Sequence, residues 1–97
     1  MTSGKSATLA ARRLAPGDTI GILGGGQLGR MLALAAAPLG LSVHVFAPEA
    51  DSPAFSVAAR HTVAAYTDEA ALAAFADAVD AITYEFENIP VETVRFL

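Results

Sequence analysis

Apolar positions along the chain fall into short blocks whose period changes from one block to the next. Thr19–Leu23 (TIGIL) is a short apolar run that predicts a strand, and Gly24-Gly25-Gly26 punctuates it. Residues 27–37 (QLGRMLALAAA) are rich in Leu, Met and Ala, all strong helix formers, and Pro38 and Gly40 end the segment. Residues 42–46 (SVHVF) alternate with period two and predict a second strand. Residues 48–53 (PEADSP) read as a loop, and residues 54–60 as a helical turn or two. Residues 61–65 (HTVAA) form a weaker third strand. Thr67 and Asp68 stand where a cap belongs, ahead of a helix over Glu69–Asp77, and Asp68 and Glu69 suit its positive end. Ala81–Tyr84 (AITY) predicts a fourth strand, residues 85–88 a loop, and Pro90 the first turn of a helix over 91–97.

Strand and helix alternate throughout. That order predicts an α/β fold: a Rossmann-like parallel sheet with flanking helices and right-handed crossovers. The last helix stops in its second turn without a C-cap signal, so the sheet is expected to be incomplete at the C-terminus and the chain to be the front of a longer one. Residues 1–17 (MTSGKSATLAARRLAPG) are small, polar and basic, and close on a Pro16-Gly17 turn. They are expected to be a disordered leader ahead of a single domain over 18–97. The leader lacks the apolar core of a secretory signal, although its composition also fits a mitochondrial transit peptide.

Composition narrows the function. At 97 residues and 54% hydrophobic, the chain suits one small folded domain. Nucleotide and substrate domains do not both fit within it. The absence of cysteine excludes a disulfide framework, a thiolate nucleophile and a Cys-based zinc site. A net charge of -4 argues against a nucleic-acid partner. The positive charge sits early, with Lys5, Arg12, Arg13 and Arg30 against Asp18 in the first thirty positions. No apolar stretch reaches the ~20 residues that span a bilayer, so no membrane partner is expected.

Candidate chemistry begins at the glycine loop. Gly24, Gly26 and Gly29 match G-x-G-x-x-G between a predicted strand and a predicted helix, the context that gives the pattern meaning. Gly24 permits the tight turn, Gly26 allows a ligand to approach the backbone, and Gly29 lets helix and strand lie close. The first helical N–H groups then form a site for phosphate or carboxylate. The same glycines also serve a turn that only packs helix on sheet. Gln27, in the first helical turn, can donate and accept; Arg30, a turn on, is more ordinary as a surface residue. Glu49, past the second strand, stands near the place of the acid that binds a ribose in dinucleotide folds. No Gly-Lys-Ser/Thr follows the loop, which excludes a Walker site.

A second constellation is ITYEFENIP, residues 82–90. With strand order 3-2-1-4 its loop faces the glycine loop across the topological switch point. Glu85 and Glu87 alternate, so one of them can face the cleft and accept from sugar hydroxyls or an amine. Asn88 suits a helix cap, and Tyr84 and Phe86 suit packing. His44 and His61 are isolated and make no metal site.

Together GILGGGQLGRML, PEADSPA and ITYEFENIP, in this order from Thr19 to Leu97, resemble the N-terminal domain of the 5-(carboxyamino)imidazole ribonucleotide synthetase family, ATP-grasp ligases of purine biosynthesis. The resemblance implies a pre-ATP-grasp domain of an enzyme that uses ATP and magnesium to activate bicarbonate as carboxyphosphate. The amine of aminoimidazole ribonucleotide then captures the carboxyl group. It implies that this domain binds no NAD and helps hold the ribonucleotide, with Gly26, Gln27, Leu28 and Glu85 at the substrate. The Gln27-Leu28 pair and Glu85 follow from the similar formate-dependent glycinamide ribonucleotide enzyme. ATP and magnesium would sit in ATP-grasp domains that these residues do not contain, so no catalytic residue and no metal ligand is expected here. A cytoplasmic homodimer is implied for the full enzyme. Two other readings stay open: a free-standing NAD- or nucleotide-binding Rossmann module, and a non-catalytic assembly domain that pairs through an unfinished sheet edge.

Overall fold

The computed structural model describes residues 14–84 and 90–97. Four parallel strands form its sheet: β1 (Thr19–Leu23), β2 (Ser42–Ala47), β3 (Arg60–Val63) and β4 (Ala81–Tyr84), in the order β3-β2-β1-β4. Thr19 pairs with Ser42 and Leu23 with Phe46, while Ile20 pairs with Ala81 and Leu23 with Tyr84. Helix α1 (Gln27–Ala36) connects β1 to β2, α2 (Glu69–Asp77) connects β3 to β4, and α3 (Val91–Phe96) follows β4. The expected alternation is therefore present, and the order is the one supposed when the loop after the fourth strand was set beside the glycine loop. Some details differ from the sequence reading. Helix α1 ends in a 3-10 turn at Ala37–Leu39, because Pro38 removes a helical N–H donor. Residues 53–57 form a 3-10 turn, and β3 starts one residue earlier than expected.

Alternation along the strands sends side chains to two faces. Ile22, Val43 and Val45 meet Ala33 and Ala36 of α1 and Ala54 of the 3-10 turn. On the other face Leu23 and Phe46 meet Leu72 and Phe75 of α2, with Val79. Phe75 lies in the space a side chain at Gly21 would need, its Cζ 2.6 Å from where a Cβ would stand. The rings of Phe46 and Phe75 are 5.3 Å apart and tilted. On the first face the helix thus contributes only small residues, whereas on the second it brings Leu72 and the Phe75 ring.

The N-terminal edge of the sheet is tied by Asp80, whose carboxylate accepts from the Thr19 N–H at 2.8 Å and whose own N–H donates to the Thr19 carbonyl. The end of the expected leader joins the fold as well. Leu14 to Gly17 are described, the Gly17 N–H donates to the Gly40 carbonyl at 2.8 Å, and the Asp18 carboxylate accepts from the Ala15 N–H. Residues 1–13 lie outside the described residues. Thr93 anchors α3 by donating from its hydroxyl to the Tyr66 carbonyl.

Candidate functional site

The glycine loop sits at the C-terminal edge of the sheet, as a strand-to-helix turn in a parallel fold must. Gly24 has φ +116, a left-handed conformation that a side chain disfavours, and its N–H donates to the Phe46 carbonyl at 2.9 Å. Gly26 is the N-cap of α1 in extended conformation. It has no side chain to accept from the first-turn N–H groups, and no acid stands in that turn. The first turn of α1 thus brings no carboxylate of its own to the helix's positive end.

Beside the loop lies a cleft of about 660 Å³. Its described walls are Gly24, Gly25 and Gly26 on one side, Pro48, Glu49, Asp51, Ser52 and Pro53 on another, and Tyr66 after β3. Of the residues read from sequence, Gly24 and Gly26 therefore line it, and so does Glu49. Gln27 and Leu28 are exposed in the first turn of α1, Leu28 at 52%, and are not among the residues that line this cleft. Gly29 is buried in α1, as close packing of helix on sheet requires. Arg30 is half-buried one turn along. Glu85, with Phe86, Glu87 and Asn88, lies outside the described residues. The cleft is on the β2 side of β1, whereas the switch point is on the β4 side. Tyr84, expected to pack, is 37% exposed.

Sequence reasoning missed Gly25 and Ser52. A Cβ on Gly25 would stand 2.4 Å from the Ser52 Cβ, 2.6 Å from its Oγ and 3.0 Å from the Ala47 Cβ. The Gly25 carbonyl accepts from the Ala54 N–H at 2.8 Å. So the middle glycine is required by its contact with the segment after β2. Its one local signal was a third glycine that the G-x-G-x-x-G pattern does not ask for.

The histidines serve packing. His44 is buried, its Nε2 is 2.7 Å from the Thr62 hydroxyl, and its ring meets Phe75 edge-on. Burial first, then the Arg60 guanidinium and His61, hold its imidazole below the ordinary value. His61 stacks on Phe55 at 4.4 Å. Among the described residues no group of three or more His, Cys, Asp or Glu could hold a metal ion. No helix among them is long and apolar enough to cross a membrane.

The family model of the ribonucleotide synthetase pre-ATP-grasp domain matches residues 18–97. The chain belongs to that family. The N5-carboxyaminoimidazole ribonucleotide synthase of Brucella melitensis is 62% identical over 78 residues, which are 80% of this chain and 22% of that protein. The bifunctional purine synthesis protein purC/E of Dictyostelium discoideum is 57% identical over 84 residues, 87% of this chain and 8% of its own length. A solved N5-carboxyaminoimidazole ribonucleotide synthetase in complex with ADP superimposes with a TM-score of 0.84 at 48% identity, over 89% of this chain and 23% of that one. The synthase of Aspergillus clavatus, solved with ADP and 5-aminoimidazole ribonucleotide, gives 0.70 at 32% identity, over 82% and 22%. This pre-ATP-grasp domain spans less than a quarter of the length of these relatives and corresponds to their N-terminal part.

Proposed function

We propose that residues 18–97 are the ribonucleotide-binding domain of an ATP-dependent carbon–nitrogen ligase, which carboxylates aminoimidazole ribonucleotide with bicarbonate in de novo purine biosynthesis. One observation carries this reading. Helix α1 begins at the C-terminal edge of the sheet on a glycine N-cap with no capping side chain and no acid in its first turn. It does so in a family with a member solved together with this ribonucleotide. An anionic group is the natural complement of such a helix start. In this reading Gly26, Gln27 and Leu28 meet the ribonucleotide at that helix start, the Gln27 and Leu28 amides receive the phosphate, and the Gln27 side chain donates to or accepts from the polar remainder of the ligand. Glu85 accepts hydrogen bonds from its sugar hydroxyls or amine. ATP and magnesium are held by the ATP-grasp domains of the full-length enzyme, a cytoplasmic homodimer. This chain alone binds the ribonucleotide without turning it over.

A second reading draws on Glu49, which lines the cleft next to the glycine loop, where a ribose diol would find a carboxylate acceptor. A two-dimensional amide NMR titration of the 97-residue chain separates the two. Aminoimidazole ribonucleotide should produce saturable shifts at residues 24–29 and near Glu85, and NAD none. Shifts with NAD alone overturn the ligase reading in favour of a dinucleotide module. Glu85→Gln should weaken ribonucleotide binding in a folded protein, and unchanged affinity would remove Glu85 from the site.

A further inference from the structure

The segment after β2 reaches back over the glycine loop and holds it from two sides. Ser52 is only 8% exposed, although it starts a surface turn. Its hydroxyl does not cap that turn; it donates to the Glu49 carbonyl at 2.7 Å, which closes residues 49–52 into a compact turn. That turn presses the Ser52 side chain against the Cα of Gly25, where a Cβ would lie 2.4 Å away. Two residues on, the Ala54 N–H donates to the Gly25 carbonyl. Ala54 is itself fully buried against α1 and β2, so this donor cannot drift. Gly25 does not have a positive φ, so only space, and not backbone conformation, bars a side chain there.

The Gly25 peptide is therefore set by side-chain contact on its Cα and by a hydrogen bond on its carbonyl. That carbonyl shares one planar peptide unit with the Gly26 N–H, and this unit leads directly into the first turn of α1, where the Gln27 and Leu28 N–H groups stand. We propose that Ser52 is a positioning residue for ribonucleotide binding, acting through Gly25 to aim the amides at the start of α1. This rests on the function proposed above; the ligand is a ribonucleoside monophosphate whose phosphate the aimed amides receive. A phosphate site built from backbone depends on such aim, since misplacement by about 1 Å weakens several hydrogen bonds at once.

The test uses the 97-residue chain with Ser52→Gly, Gly25→Ala and the two combined, titrated with aminoimidazole ribonucleotide and followed by amide NMR. Ser52→Gly empties the contact and Gly25→Ala overfills it. Each should raise the Kd of the folded protein about tenfold, the effect of losing on the order of one charge-assisted hydrogen bond. In the double variant the new Cβ takes the space that Ser52 gave up, and affinity should return to within about threefold of the parent. Order parameters of the Gly26, Gln27 and Leu28 amides are measured without ligand. In Ser52→Gly they should fall from about 0.85 toward 0.6. Lower thermal stability with unchanged Kd and unchanged order parameters would show Ser52 to be structural only and overturns the proposal. If the parent chain does not bind the ribonucleotide, the function proposed above fails. The ligand-free order parameters then decide for or against the clamp on their own.

Discussion

The two longer helices begin in opposite ways. Helix α2 closes its own start: the Asp68 carboxylate accepts from the Ala71 N–H at 3.0 Å, and Glu69 adds a second negative charge in the first turn. Helix α1 starts on glycine with neither. Their buried faces differ as well. Helix α2 drives Leu72 and Phe75 into the sheet, whereas α1 buries only Gly29, Ala33 and Ala36 and leaves Met31 63% exposed. Under the proposed function the difference separates holding the fold from presenting a site. Large side chains on α2 remove the most apolar area from water, and its satisfied cap needs nothing from outside. Small residues on α1 let backbone approach backbone, which brings the residue 53–57 turn against the helix and the glycine loop. That closeness goes with a helix start that has no side-chain cap and no acid of its own in the first turn, and such a start beside a cleft can take a ligand's negative charge.

This contrast can be broken most directly at Phe75. Phe75→Ala should lose about 3–5 kcal/mol, read as a lower urea midpoint, because it empties the aromatic layer between α2 and the sheet. A similar loss from Ala33→Gly on α1 would erase the distinction between the two faces.

The aromatic face also carries a pH signature. The folded His44 imidazole titrates below its usual value, so at mildly acidic pH the unfolded chain binds the proton more readily. The contribution of His44 is fully present above about pH 6.5 and is lost as pH falls toward the folded pKa, at up to about 1.4 kcal/mol per pH unit. Urea unfolding at about pH 7.5 and about pH 5.5 should show this slope, and His44→Gln should flatten it.

At the helix starts the effects are smaller. Asp68→Ala should lose about 1 kcal/mol through the missing cap, seen in thermal unfolding, with no change in ribonucleotide affinity. Gly26→Asp should do the reverse. It supplies α1 with a capping carboxylate and stabilises it by a few tenths of a kcal/mol, while blocking ribonucleotide binding through charge and occupancy. A Gly26→Asp protein that binds as tightly as the parent would show that the start of α1 is not where the phosphate sits. Last, Met31→Gln on the open face of α1 should change stability by less than about 0.5 kcal/mol.

The order of elements was legible along the chain because local physics sets it. Thr19–Leu23, Glu69–Asp77 and Ala81–Tyr84 appear with the bounds read from apolar period and capping residues, because those signals act within a few positions of the backbone they shape. The parallel sheet followed from that alternation, whereas its β3-β2-β1-β4 order, only supposed from the sequence, was decided by the tertiary structure. Gly24 was legible for the same reason: the tight turn it makes is confined to neighbouring residues. Tertiary structure alone decided the rest. Gly25 and Ser52 are far apart in the chain and meet only because β2 lies beside β1 and the segment after β2 turns back over the loop. His44 alternates in the sequence like a residue that could face either way, and only the placement of α2 puts it under Phe75 and away from water. The outward Met31 went unread because helix propensity says which residues form α1 and not which side of it the sheet will cover. Contacts between distant segments depend on how the layers dock, and docking is a property of the whole sheet and its helices together.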